Sequence, residues 1–190
     1  VIDPSPPASD VLLVKRMQGS VLAIILAGLA MATAGAPGAA RTSPSVRLNA
    51  LDTALLVRVN AVRRAHALNP LKLSPALSDA ADQHTTEMAQ SGYFAHASRN
   101  STLFWQRIER SYPSSGSRSW SVGENLLWAV PDVDATVAIR SWMNSPEHRA
   151  NLLEPAWREV GIAARHSDSA PGIYGDQPVT ILTADFGVRR

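Results

Sequence analysis

The sequence predicts an α+β domain, and three observations point to it. Apolar residues recur at helical spacing through the earlier part of the chain. Two later runs, 159–165 and 179–186, alternate apolar with small or polar residues, as strands do. Helices first and strands last belong to a layered α+β domain rather than to repeated βα units.

The elements follow in order. Residues 1–16 are polar and Pro-rich and end in Lys15-Arg16. From Val21 to Ala36 the chain is almost wholly Ala, Leu, Ile, Val, Gly and Met. Its strongly apolar part, Val21–Ala30, has the length of a signal-peptide core. Ala32-Thr33-Ala34 fits a small-residue cleavage site, and Ala34-Gly35-Ala36 fits less well because Pro37 would follow the cut. Residues 1–34 are therefore read as a signal peptide. The alternative is a retained anchor, since the uncharged stretch Met17–Ala40 is long enough to span a bilayer. Residues 35–48 are rich in Gly, Ala, Pro and Ser and read as a flexible linker, leaving 49–190 as the domain.

The first helix is expected from Asn49 to His66, with Leu51, Leu55, Val59 and Val62 on one face and Asn69-Pro70 ending it. Ser74-Pro75 opens a second, Ser as N-cap and Pro in the first turn. Leu77, Ala81, His84 and Met88 form its inner stripe, and Gly92 stops it. A short helix covers Leu103–Arg110, a loop 111–121, and a fourth helix Asp134–Met143. Ser145-Pro146 opens a further turn, with Ser145 able to cap. Residues 167–178 are a turn-rich connector between the two strands.

Composition excludes several classes. The chain has 190 residues and no cysteine, so a core rather than disulfides must hold the domain. The net charge is +2 and no dense basic run occurs, which argues against a nucleic-acid reader. There is no nucleotide-binding glycine loop. Lys15 and Lys72 are the only lysines among 18 basic residues; that arginine bias, with abundant alanine, points to a GC-rich bacterial source.

Three short segments carry the chemistry. They are Gly92-Tyr93-Phe94-Ala95-His96, Gly123-Glu124-Asn125-Leu126, and the run from Ser141-Trp142 through Ser145-Pro146-Glu147-His148-Arg149 to Asn151-Leu152. Two imidazoles and one carboxylate suit a divalent metal or acid–base work. Flanking them are Val59–His66, Leu71–Leu77, Glu159-Val160-Gly161-Ile162-Ala163 and Asp185-Phe186-Gly187. In this order, from about Leu55 to Phe186, the motifs resemble the CAP superfamily (SCP; cysteine-rich secretory, antigen 5 and pathogenesis-related 1), closest to its short bacterial secreted branch.

The resemblance implies a three-layer α-β-α sandwich. It makes His96 the first site histidine, Glu124 the acidic residue and His148 the second histidine, converging on one cleft. These three would be the metal ligands, with Zn²⁺ or another divalent cation as cofactor; in an enzyme they would be the catalytic set. Many eukaryotic members carry a second glutamate three residues after the fourth-helix tryptophan; here Ser145 stands there, and Glu147 is at the wrong offset. Two histidines and one carboxylate still leave an open water position on Zn²⁺.

Other residues read more plainly. His84, on an apolar stripe, reads as a satisfied core histidine, His66 as a helix-end residue, and His166 as solvated. Arg149 reads as structural and Asn151 as closing a loop. Trp142 and Trp157 are expected in the core, and Trp120 and Trp128 could wall the cleft.

Three functions remain open. One is a secreted or envelope-associated ligand-binding or interaction module, monomeric, binding an extracellular small molecule, lipid or peptide. The second is a metal-assisted hydrolase with Glu124 as general base, although the His-Glu-x-x-His and nucleophile-elbow signatures are absent. The third, suggested by the family, is a sterol or lipid carrier. Contact with a membrane is expected only through an uncleaved leader.

Overall fold

The computed structural model describes residues 14–18 and 48–190. The apolar run Val21–Ala36, the cleavage site at Ala34 and all but the last residue of the linker lie outside the described residues. The basic pair Lys15-Arg16 falls in a strand, β1, Val14–Gln18. Among the described residues no helix is long and apolar enough to cross a membrane.

Helix α1 spans Ala50–Ala65. Asn49 and Asp52 cap it reciprocally: Asp52 N donates to Asn49 Oδ1 at 2.8 Å and Asn49 N to Asp52 Oδ2 at 2.9 Å. The same pair ties the helix to the sheet, because Ala164 N donates to Asp52 Oδ1 at 2.7 Å and Asn49 Nδ2 donates to Ala164 O at 2.9 Å. At the far end Arg63 is fully buried and donates to Leu152 O at 2.8 Å and Asn69 O at 3.0 Å. A short strand β2, Lys72–Leu73, leads into α2, Pro75–Ser91. Ser74 caps α2, and Gly92 ends it in the left-handed conformation at φ 66°, which a residue without Cβ adopts at little cost. Then follow α3, Phe104–Ser111; β3, Ser119–Ala129; α4, Ala135–Asn144; and α5, Pro146–Leu152. Strand β4, Glu159–Ala170, a 3-10 turn at Gly172–Tyr174, and β5, Gln177–Arg189, close the chain.

The five strands lie in the order β1-β3-β5-β4-β2. All neighbours are antiparallel except β2 and β4. Helices α1, α4 and α5 cover one face through Leu55, Val59, Ile139, Trp142 and Leu152, packed on Ile162, Leu182 and Phe186. Helices α2 and α3 cover the other through Leu77, Phe104, Ile108 and Met88, packed on Trp120, Val122, Leu126 and Ile181. This is the expected three-layer α-β-α sandwich. Burying an aliphatic or phenyl side chain of this kind contributes about 1.5–3 kcal/mol, so two apolar layers replace the missing disulfides. Trp142 and Trp157 are buried as expected, with their indole N–H groups satisfied by Leu126 O at 2.9 Å and Asn151 O at 3.0 Å.

The structure departs from the sequence reading in three places. The segment around Glu124 is the middle of a long strand, and the expected loop 111–121 already turns into β3 at Ser119. The connector shrinks to 171–176, because β4 and β5 carry their pairing into polar residues whose backbones bond regardless of side chain. Ser145 makes no capping bond to α5; its hydroxyl reaches Glu147 Oε2 at 3.5 Å instead.

Candidate functional site

Strand alternation sorts the Gly-Glu-Asn segment onto two faces. Trp120, Val122 and Leu126 point toward α2 and α3, and Glu124 shares their parity. Asn125 points the other way, where its Nδ2 donates to His148 O at 3.1 Å and its Oδ1 accepts from Asn151 Nδ2 at 3.0 Å. Gly123 has that same parity. A Cβ there would stand 2.5 Å from Asn151 Oδ1 and 2.9 Å from the Trp157 ring, so glycine is required for close approach and not for an unusual φ.

Glu124 is buried, and both of its oxygens are engaged. Oε1 lies 2.8 Å from His96 Nδ1. Oε2 accepts from the Arg107 guanidinium. Arg107 also donates from Nη1 to His96 O at 2.9 Å, so one side chain of α3 fixes both the carboxylate and the segment that carries the imidazole. The His96 ring meets Phe104 edge-on, with centroids 6.5 Å apart. Burial alone would raise the Glu124 pKa; the Arg107 charge, the His96 hydrogen bond and the charge of nearby imidazoles outweigh it and hold Glu124 below the usual carboxylate range. A carboxylate only accepts, so Nδ1 is the protonated ring nitrogen of His96, and in the neutral ring Nε2 carries the lone pair.

The structure thus brings His96 and Glu124 together. His148, half-buried on α5, is joined to β3 through its backbone carbonyl and Asn125. Among the described residues no group of three or more His, Cys, Asp or Glu side chains is placed to hold a metal ion. A divalent cation ligated by Glu124 would share its oxygens with the imidazole N–H and the guanidinium and would lie beside the guanidinium's positive charge.

Two members of the site were missed in the sequence. Arg107 is nine-tenths buried, though it sits in a short helix whose arginines look solvent-facing. Asp185 stands opposite Glu124 in the β3–β5 register and is fully buried. Neither Asp185 oxygen has a well-formed hydrogen bond among the described residues. Burial, then the charge of Glu124, push its pKa well above the usual range. A charged residue at an apolar-facing strand parity was the available signal for Asp185.

The remaining residues fall into place around this set. His84 is fully buried beneath it, with Nε2 2.8 Å from Ala95 O, and burial lowers its pKa. Trp120 does not wall a cleft: it is buried between α2 and α3 and donates to Tyr112 O at 2.9 Å. Trp128 packs edge-on against Tyr174. His66 is the C-cap of α1, with Nδ1 2.9 Å from Val62 O. His166 is exposed and lies 3.0 Å from Thr180 Oγ1. Arg149 is exposed and donates to Met143 O at 3.2 Å.

A model of the cysteine-rich secretory protein family (CAP) matches residues 56–185. The "Uncharacterized protein YkwD" of Bacillus subtilis (strain 168) is 28% identical over 143 residues, 75% of this chain and 53% of that protein. The chain therefore spans about half the length of this curated relative. An outer surface protein from Borrelia burgdorferi aligns with a TM-score of 0.57 at 19% identity, covering 72% of this chain and 90% of that one. An extracellular protein containing an SCP domain from Bacillus anthracis aligns with a TM-score of 0.56 at 23% identity, over 77% of this chain and 45% of that one. At these identities the two structures speak for the fold.

Proposed function

The chain belongs to the cysteine-rich secretory protein (CAP) family, and from that premise we propose that it is a ligand-binding or interaction module acting in the cell envelope or outside the cell. The observation that carries this reading is the state of Glu124. It is buried, with one oxygen on the His96 imidazole and the other on the Arg107 guanidinium, an arrangement that orients His96. A side chain that orients another suits recognition; a general base needs a lone pair aimed at a proton it can take. His96, 14% exposed, is the member of the pair that reaches the surface. Its imidazole is therefore the polar group of the pair that a ligand can touch.

Location is supported by the company the fold keeps: one structural neighbour is described as extracellular and another as an outer surface protein. A polar or peptide-like ligand suits the surface better than a sterol. Among the described residues the exposed large apolar side chains, Val57, Leu103 and Ile173, lie on α1, just before α3 and in the 3-10 turn, three separate segments.

The test follows the His96 ring by NMR while the purified chain is titrated with a degenerate peptide library, and separately with cholesterol and phospholipid vesicles. The peptide mixture is also scanned by mass spectrometry for cleavage. The expected result is a shift of the His96 ring resonances with peptide and no cleaved product. Cleavage that vanishes in Glu124→Gln would establish the hydrolase instead, and a response to sterol or vesicles alone would establish the lipid carrier.

A further inference from the structure

An imidazole beside a glutamate invites a divalent cation, but the geometry of this chain holds a different cation there. Arg107 reaches Glu124 from α3, is nine-tenths buried, and directs two nitrogens into the site, one to the Glu124 carboxylate and one to the His96 carbonyl. With His96 Nδ1 on the other carboxylate oxygen, each Glu124 oxygen already holds a partner, and an ion bound there would sit beside the guanidinium in a buried space. The charges already balance locally: one buried carboxylate against one buried guanidinium. A second, divalent charge placed beside the guanidinium would meet like-charge repulsion where solvent screens little. An ion that displaced the guanidinium would leave Arg107 buried without its counter-charge.

We propose that Arg107 is the resident cation of this site, that the site works without a metal, and that Glu124 becomes a Zn²⁺ ligand only when the Arg107 charge is removed. Arg107 is a positioning residue in this account, acting through Glu124 and His96. The inference does not depend on what the cleft binds, because Zn²⁺ itself is the probe.

The experiment titrates Zn²⁺ by calorimetry into wild type, His96→Ala, Arg107→Met, Arg107→Lys and the Arg107→Met/His96→Ala double variant. Melting temperatures are recorded with and without Zn²⁺. Wild type and His96→Ala are expected to bind alike, through surface groups such as His166. Arg107→Met is expected to gain on the order of tenfold in affinity, about 1.4 kcal/mol, and to melt higher with Zn²⁺ than without. The gain should disappear in the double variant, and Arg107→Lys, which keeps the charge, should not show it. A purely structural arginine would produce no gain in any variant. The proposal is overturned if wild type holds Zn²⁺ tightly and loses it in His96→Ala, or if folded Arg107→Met binds no better than wild type. If Arg107→Met does not fold, the comparison of wild type with His96→Ala decides alone.

Discussion

Glu124 and Asp185 face each other across β3 and β5, both are buried, and their surroundings push their acidities in opposite directions. Two carboxylates in one desolvated space do not both ionise. Arg107 and His96 select which one does, because both bond to Glu124 and neither bonds to Asp185. The result is an asymmetric acid pair, the Glu124 pKa held down and the Asp185 pKa pushed up.

That asymmetry gives stability two opposite pH limbs. Glu124 has its folded pKa lowered, so its contribution is present above the unfolded value and is lost as pH falls through the folded one. Asp185 has its folded pKa raised, so its contribution is full below the unfolded value and is lost as pH rises through the folded one. Asp185→Asn keeps the shape and removes the second limb. The variant should therefore gain on wild type as pH rises from about 4, by up to about 1.4 kcal/mol per pH unit until the folded pKa is passed. Denaturant unfolding at a series of pH values measures this; parallel curves for the two proteins would show that Asp185 carries no raised pKa.

Breaking the Arg107–Glu124 pair from one side should be costly. Glu124→Ala leaves a buried guanidinium without its counter-charge, at an expected loss of about 3–5 kcal/mol. Arg107→Met/Glu124→Met removes both charges and should lose less than the sum of its single variants. Unfolding free energies of the four proteins form the cycle. A loss under about 1 kcal/mol in Glu124→Ala would mean that the guanidinium finds water or another partner.

How much of this was legible in the sequence depends on distance along the chain. Asn49, expected as the first helical residue, is instead the cap, but the Ser74 cap was legible, because it acts on an amide three residues away. The breakers Gly92 and Asn69-Pro70 were, for the same local reason. Of the three-motif set, the contact between His96 and Glu124 came through. β3 did not, since a strand with an inward glutamate breaks the apolar alternation by which strands are recognised. Arg107 did not, since what makes an arginine buried is a carboxylate 17 residues away in sequence, on another element. Arg63 was hidden likewise, its partners at Leu152 and Glu154 lying far along the chain.

Layer spacing is set by a glycine that no local pattern singles out. A Cβ on Gly161 of β4 would overlap the backbone of Leu77 and Ser78, so α2 rests directly on the strand. Backbone cannot rotate away as a side chain can, and the helix would have to lift. Gly161→Ala should cost about 3 kcal/mol or more. Gly116→Ala is the control: nothing lies within 4 Å of its Cβ, and only the strain of φ 80° opposes it, about 1 kcal/mol. Thermal or denaturant unfolding of both variants decides; equal losses would mean that α2 yields easily.

The edge of the sheet carries the last prediction. Val14–Gln18 pairs antiparallel with β3, Val14 opposite Gly123 and Gln18 opposite Ser119. The sequence reading assigns those residues to a leader cut near Ala34, and a chain beginning at residue 35 has no β1. Its β3 would then present an unpaired edge over residues 119–123, bounded inward by β5. Among the described residues both apolar layers are built from positions after 48, so the shortened chain should remain folded. Hydrogen exchange on chains 1–190 and 35–190 tests this residue by residue. In the shorter chain, alternate amides between Ser119 and Gly123, those facing β1, should lose protection while their neighbours bonded to β5 keep theirs. Protection that is identical in the two chains would show that β1 does not hold that edge.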